Sequence, residues 1–309
     1  MTKTPTLSVL ALICAAVLFS CSKKDKKPVP QNPSPMAETT RAHERIEPRD
    51  FAGLNFETDG ILSKPVNVFM PERSFEAPAF DLLIHFHGAH YLVQHAAEKI
   101  AEDVIAVTVN LGAGSKVYND AFSDSTAFPA LISASGEAIK ARIGRDISIR
   151  NVILTAFSAG YGAVRRILST SDNYRRVSAV LLLDGIHADY VPEGLLLAQG
   201  ATVDSSDVAA FLKFAMAAAS SNSKKRFLIT HSEIFPGTYA STTEVADFIL
   251  VRLDCSREAV LEWGPLGMQQ LSRAGKNHFA VLGFAGNTAP DHVDHIHGMY
   301  FFVDLLMKQ

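Results

Sequence analysis

Cysteine is nearly missing from this 309-residue chain. Of three cysteines, Cys14 and Cys21 lie close to the N-terminus, which leaves Cys255 alone in the remainder. One thiol cannot make an intramolecular disulfide, so a folded domain here must hold itself together by its apolar core. Nothing near Cys255 in sequence would lower its pKa, and it reads as inert rather than nucleophilic. An excess of basic charge is missing too. With 29 Lys and Arg against 32 Asp and Glu, the formal net charge is −3, which gives no electrostatic case for nucleic acid. There is one tryptophan and no internal repeat. The apolar stretch Leu7 to Phe19 is too short to cross a bilayer comfortably. Gly112-Ala-Gly114-Ser115 lacks the third glycine and the lysine of a phosphate-binding loop, so a nucleotide is not expected.

What is present begins with a targeting segment. Lys3 precedes the apolar run, which ends in Leu18-Phe19-Ser20-Cys21. Residues 1–20 resemble a bacterial lipoprotein signal peptide, and that resemblance implies lipidation of Cys21 and an anchor in the membrane. Ser22 gives no retention signal of the aspartate type, so the expected location is the cell envelope, at the outer membrane. Residues 21–45 carry lysines and Pro28, Pro30, Pro33 and Pro35, a composition that makes an extended tether rather than a core.

The folded domain is expected over 46–309. The hydrophobic content of the whole chain, 48% with 20% charged residues, is ordinary for a globular protein. Phe51–Glu57 and Ile61–Met70 flank Thr58-Asp59-Gly60 and read as an antiparallel hairpin. After it, apolar runs at 80–87, 104–111, 152–157, 178–183, 226–230 and 278–284 read as strands. Helical patterns at 91–102, 127–142, 207–219 and 242–253 fall between them. Such alternation predicts an α/β fold, a mostly parallel sheet covered on both faces. Residues 186–224, with their Ala-rich helix, read as a lid or cap insertion over the site.

The sequence is organised around Asn151–Arg166, NVILTAFSAGYGAVRR. A buried strand runs through a tight turn at Ser158 into a helix, and Ala156, Ala159, Gly160 and Gly162 crowd that turn. Small neighbours are what an exposed hydroxyl on a strained strand-to-helix corner requires. The motif is G-x-S-x-G with alanine at its first position. Other reactive side chains also fall at the carboxyl ends of strands, where such sheets bind ligands. They are His85-Phe-His87-Gly88-Ala89-His90, Asp184, Glu233, and Asp291-His-Val-Asp-His-Ile-His297.

These features resemble the α/β-hydrolase superfamily over nearly all of 50–309. The resemblance implies an α/β-hydrolase fold and a serine esterase that needs no cofactor. Ser158 would be the nucleophile, and backbone N–H groups of Ala159 and of the Gly88–Ala89 turn would form the oxyanion hole. The acid is Asp184 or Glu233, with Asp184 preferred. The base is His292, with His295 as an orienter or substitute. Thr288 and Asp291 form a capping-box pattern that opens the terminal helix, and a core stripe of Val293, Ile296, Tyr300, Val303 and Met307 leaves His297 facing solvent. Tyr118, Asp120, Phe235 and Trp263 are candidates to line the pocket. The expected substrate is an ester of a small molecule, a polysaccharide or a lipid. Two other readings compete: a metal-dependent hydrolase using the HFHGAH and DHVDHIH histidines, and a surface lipoprotein that binds without catalysis.

Overall fold

A computed structural model describes residues 41–309. The expected leader, the lipidated Cys21 and nearly all of the tether lie outside the described residues. Among the described residues no helix is long and apolar enough to cross a membrane.

The chain opens with the antiparallel pair β1 (Gly53–Thr58) and β2 (Val66–Pro71). There follow β3 (Phe80–Phe86), α1 (His90–Lys99), β4 (Val104–Val109), α2 (Ser115–Ala121), α3 (Ala127–Ile143) and β5 (Ile149–Phe157). A single 3-10 turn, Ser158–Gly160, joins β5 to α4 (Tyr161–Leu168). Next come α5 (Ser171–Arg176), β6 (Val177–Leu183), a two-residue pair β7 (Tyr190–Val191) and β8 (Thr202–Val203), α6 (Ser205–Ala218), β9 (Arg226–His231) and α7 (Thr242–Arg252). The chain closes with β10 (Glu258–Trp263), β11 (Gln269–Lys276), β12 (Phe279–Phe284), α8 (Ala289–His297) and α9 (Met299–Lys308).

Ten strands form one sheet in the order β1-β2-β4-β3-β5-β6-β9-β12-β11-β10. Its centre, from β4 to β12, is parallel, and both ends are antiparallel. The central strands β3 and β4 are buried along their whole length. Unbroken apolar strands of this kind are what a sheet covered on two faces needs. One core packs α3, α4, α6 and α7 on one side, and a second packs α1 and α9 on the other.

Four expectations change here. The Ala-rich helix α6 is not part of a separate cap, because Val208, Phe211, Phe214 and Ala215 are fully buried in the first core. The terminal helix breaks at Gly298 into α8 and α9, and Met299, Phe302 and Leu306 join Ile296 and Val303 in the core. His297 is buried, its Nδ1 accepting the Ile46 N–H at 3.0 Å. Finally, residues 258–276, where no strand is expected from the sequence, form the β10–β11 pair at the sheet's edge.

The segment before β1 is clasped to α8. Asp294 is fully buried and accepts hydrogen bonds from Arg41 and Arg45, and it pairs with His43 Nδ1 at 2.9 Å. Burial alone would push its carboxyl up, but the bonds from Arg41, His43 and Arg45 outweigh that and hold it below the usual range. The helix that carries His292 is thereby tied to the segment before β1.

Candidate active site

Ser158 follows β5 directly with φ +47°, a left-handed conformation that a residue with a Cβ adopts only when its surroundings impose it. Two glycines impose it. A Cβ on Gly160 would sit 2.1 Å from the Phe86 carbonyl oxygen, and one on Gly185 would sit 2.3 Å from the Ser158 carbonyl oxygen. Both approaches are to backbone, so no side-chain movement could relieve them. The elbow is therefore wedged between the end of β3 and the loop after β6.

That loop begins at Asp184, buried and also at positive φ. Its Oδ1 accepts the Ser232 N–H at 3.0 Å, and its Oδ2 accepts the Ser232 hydroxyl at 2.6 Å and His292 Nδ1 at 2.7 Å. Burial would raise its pKa. His295 nearby, together with the hydrogen bonds from His292 and Ser232, overcomes that and keeps the carboxyl ionised well below the usual range. An ionised carboxylate only accepts, so the proton of neutral His292 must sit on Nδ1, which leaves Nε2 with a lone pair. The Phe157 ring lies 4.5 Å from that of His292. The residue before Ser158 thus supports the imidazole, and the residue after Asp184 supports Ser158. Among the described residues no hydrogen bond joins the Ser158 hydroxyl to His292. The hydroxyl opens instead into a hollow of about 470 Å³ that Ala159 also lines. The Ala159 N–H falls in the first turn after the strand, where no helical carbonyl can reach it.

Not every expected site residue converges here. Glu233 is exposed, on the loop after β9, and only its backbone N–H is engaged, by the Gly286 carbonyl. His295 is fully buried and bonds Thr230 at 2.8 Å rather than Asp184, so it does not orient the base by hydrogen bonding. Gly88 and Ala89 line a neighbouring hollow with Lys64, Asn67 and Asn110. Tyr118 is buried, its hydroxyl 2.9 Å from His87 Nδ1, while Asp120 pairs with Lys116 at the surface and Trp263 lies exposed on the edge strand β10. The hollow's other walls include Ser115 of the glycine-containing loop and Tyr161, Arg165, His187, Asp207 and Tyr239, which the sequence does not single out as site residues. The nearest sequence signal is Asp184-Gly-Ile-His187, one loop's length past an apolar strand.

Of the histidines proposed as metal ligands, His85 is otherwise occupied. His85 Nε2 donates to the His87 carbonyl at 3.0 Å and its Nδ1 accepts from Thr155 at 2.8 Å, so both nitrogens are taken. Among the described residues, His43, Asp291 and Asp294 are one grouping whose ligand atoms lie close enough to share an ion. Arg41 already bridges both of its carboxylates, and Asp291 also caps α8 by accepting from Thr288. A cation there would compete with a guanidinium.

Buried imidazoles beneath the site make stability depend on pH. Burial lowers His85 to about 3, and His231 and His295 to about 4. In the unfolded chain each returns to about 6.5. Below that value the unfolded state therefore binds protons that the native state refuses. Stability is unaffected by these groups above about pH 6.5 and falls as pH drops from there, levelling near pH 4 for His231 and His295 and near pH 3 for His85. Urea unfolding at pH 4.5 is expected to take up about two protons or more, and the stability should fall between pH 7 and pH 4.5. A stability that stays flat across that window would contradict neutral burial of these rings.

No protein-family model matches the chain, and a search of curated proteins finds no match. Solved structures do match. A truncated form of a carbohydrate esterase from gut microbiota aligns with a TM-score of 0.51 at 10% identity, over 84% of this chain and 98% of that one. The chain has the α/β-hydrolase fold. Esterase B from Lactobacillus rhamnosis (HN001) aligns at a TM-score of 0.48 and 10% identity, over 89% of each chain. In the sheet, Asp184 follows β6 and Glu233 follows β9, and β11 and β10 extend the edge beyond β12.

Proposed function

We propose that this chain is a carboxylic-ester hydrolase that works through an acyl-enzyme on Ser158. The observation that carries the proposal is the 2.7 Å bond between Asp184 and His292 Nδ1, beside a serine held at positive φ. With Nδ1 protonated, His292 Nε2 takes the Ser158 proton as the hydroxyl attacks the ester carbonyl. Asp184 stabilises the imidazolium that forms. The Ala159 N–H binds the developing oxyanion. His292 then returns the proton to the leaving alcohol, and water repeats the cycle to free the acid.

Labelling with a fluorophosphonate probe tests this reading. An adduct should map to Ser158 in the wild type, disappear in Ser158→Ala and be indifferent to EDTA. Absence of an adduct, with an esterase activity that EDTA abolishes, would sink it.

The domain is proposed to be held at the outer membrane of the bacterial envelope through lipidated Cys21. Metabolic labelling with an alkynyl palmitate should mark the full chain and fail in Cys21→Ser. Labelling of both would put the lipid elsewhere.

A further inference from the structure

The acyl-transfer scheme gives His187 no task, although this side chain stands in the same hollow as Ser158. Its Nδ1 lies 3.1 Å from the Ala240 carbonyl. A carbonyl only accepts, so Nδ1 carries the proton of the neutral ring. The other nitrogen, Nε2, is left as an acceptor with no protein partner among the described residues. Edge-on contacts with Tyr161 at 5.5 Å and Tyr239 at 5.0 Å fix the plane of the ring.

Arg165 and Asp207 supply the complementary chemistry. They pair at 2.7 Å, and Asp207 Oδ2 also accepts the Asp189 N–H at 3.0 Å. Neither side chain is fully buried, with 23% and 26% of their surface exposed, so donor and acceptor positions remain open. An alkyl chain laid over this wall would strip water from an ion pair and return nothing. A cation would face Arg165, and an anion would face Asp207. An uncharged group that carries both donors and acceptors on an apolar ring face meets all three side chains and both tyrosines.

We propose that the hollow is a subsite for a polyhydroxylated, uncharged part of the ester, such as a sugar ring, with His187 Nε2 accepting one of its hydroxyls. This deepens the Ser158 reading and rests on it. His187 is then a specificity-determining residue. It acts on the choice of ester rather than on the acyl transfer.

The test compares kcat/KM for a mono-acetate of methyl β-xylopyranoside with that for butyl acetate. The wild type should prefer the sugar acetate. His187→Phe, which keeps an aromatic ring but removes the acceptor, should lower the ratio about tenfold, as loss of one hydrogen bond implies. Should that variant fail to fold, Asp207→Asn takes its place with the same expected direction. A wild type that prefers butyl acetate, or a ratio the variant leaves unmoved, overturns the subsite. If neither ester is cleaved, the Ser158 reading fails instead. Saturation-transfer NMR with methyl β-xylopyranoside on Ser158→Ala and on Ser158→Ala/His187→Phe then decides the subsite alone. Transfer to the first that is lost in the second keeps it, and no transfer to the first sinks it.

Discussion

Ser158→Ala is expected to lower kcat for 4-nitrophenyl acetate by on the order of 10⁴- to 10⁶-fold, because it removes the proposed nucleophile. The fold should survive, since the hydroxyl makes no hydrogen bond among the described residues. A second substitution at the same position separates chemistry from strain. The positive φ at Ser158 costs a residue with a Cβ free energy that glycine does not bear. Ser158→Gly should therefore be inactive yet more stable by roughly 1 kcal/mol, less what glycine's freedom in the unfolded chain takes back. Stopped-assay kinetics and urea unfolding on the three proteins check both parts. Residual activity in Ser158→Ala within a factor of about 10 of the wild type would remove Ser158 from the nucleophile's role.

Asp184→Asn should cost about 10⁴ in kcat, because an amide cannot hold His292 in the tautomer whose Nε2 is a base. It should also destabilise the domain by about 2 kcal/mol. Both carboxylate oxygens accept from donors, at Ser232 and at His292, and an amide NH₂ would turn a donor towards one of them. Glu233→Gln is the control: its exposed carboxylate should be replaceable without change in kcat. The opposite result, a dead Glu233→Gln and an active Asp184→Asn, would require the loop after β9 to swing in and take over the histidine.

The choice between those two carboxylates shows where reading the sequence stops. Both end apolar strands that lie side by side in the sheet, so local pattern ranks them almost equally. What separates them is Ser232, whose backbone and hydroxyl face Asp184, and a histidine that returns from α8. The elbow, by contrast, was legible because its causes are local: an apolar run, a serine and small residues in one short stretch. Strands β10 and β11 escaped notice for the converse reason. At an edge they bury little, and residues such as Glu258, Glu262 and Arg273 carry no apolar alternation. The polar stretch GAGSKVYNDAFSDS hid α2 in the same way, since only Tyr118 of that helix is buried. His297 was misread because its cover, the Ile46 N–H, arrives from the far end of the chain.

The close approaches at Gly160 and Gly185 also divide the molecule by what it can afford to vary. No side chain is allowed at either position, and neither contributes an atom to substrate. They fix the backbone at Ser158. His187 and Tyr239, by contrast, stand on loops after β6 and β9, and no backbone atom of the elbow belongs to those loops. Drift towards a different ester can therefore run through His187 and Tyr239, while Asp184, Gly185 and Ser232 in the same two loops stay as they are. A lineage built on this plan would diversify in what it cleaves long before it changed how it cleaves.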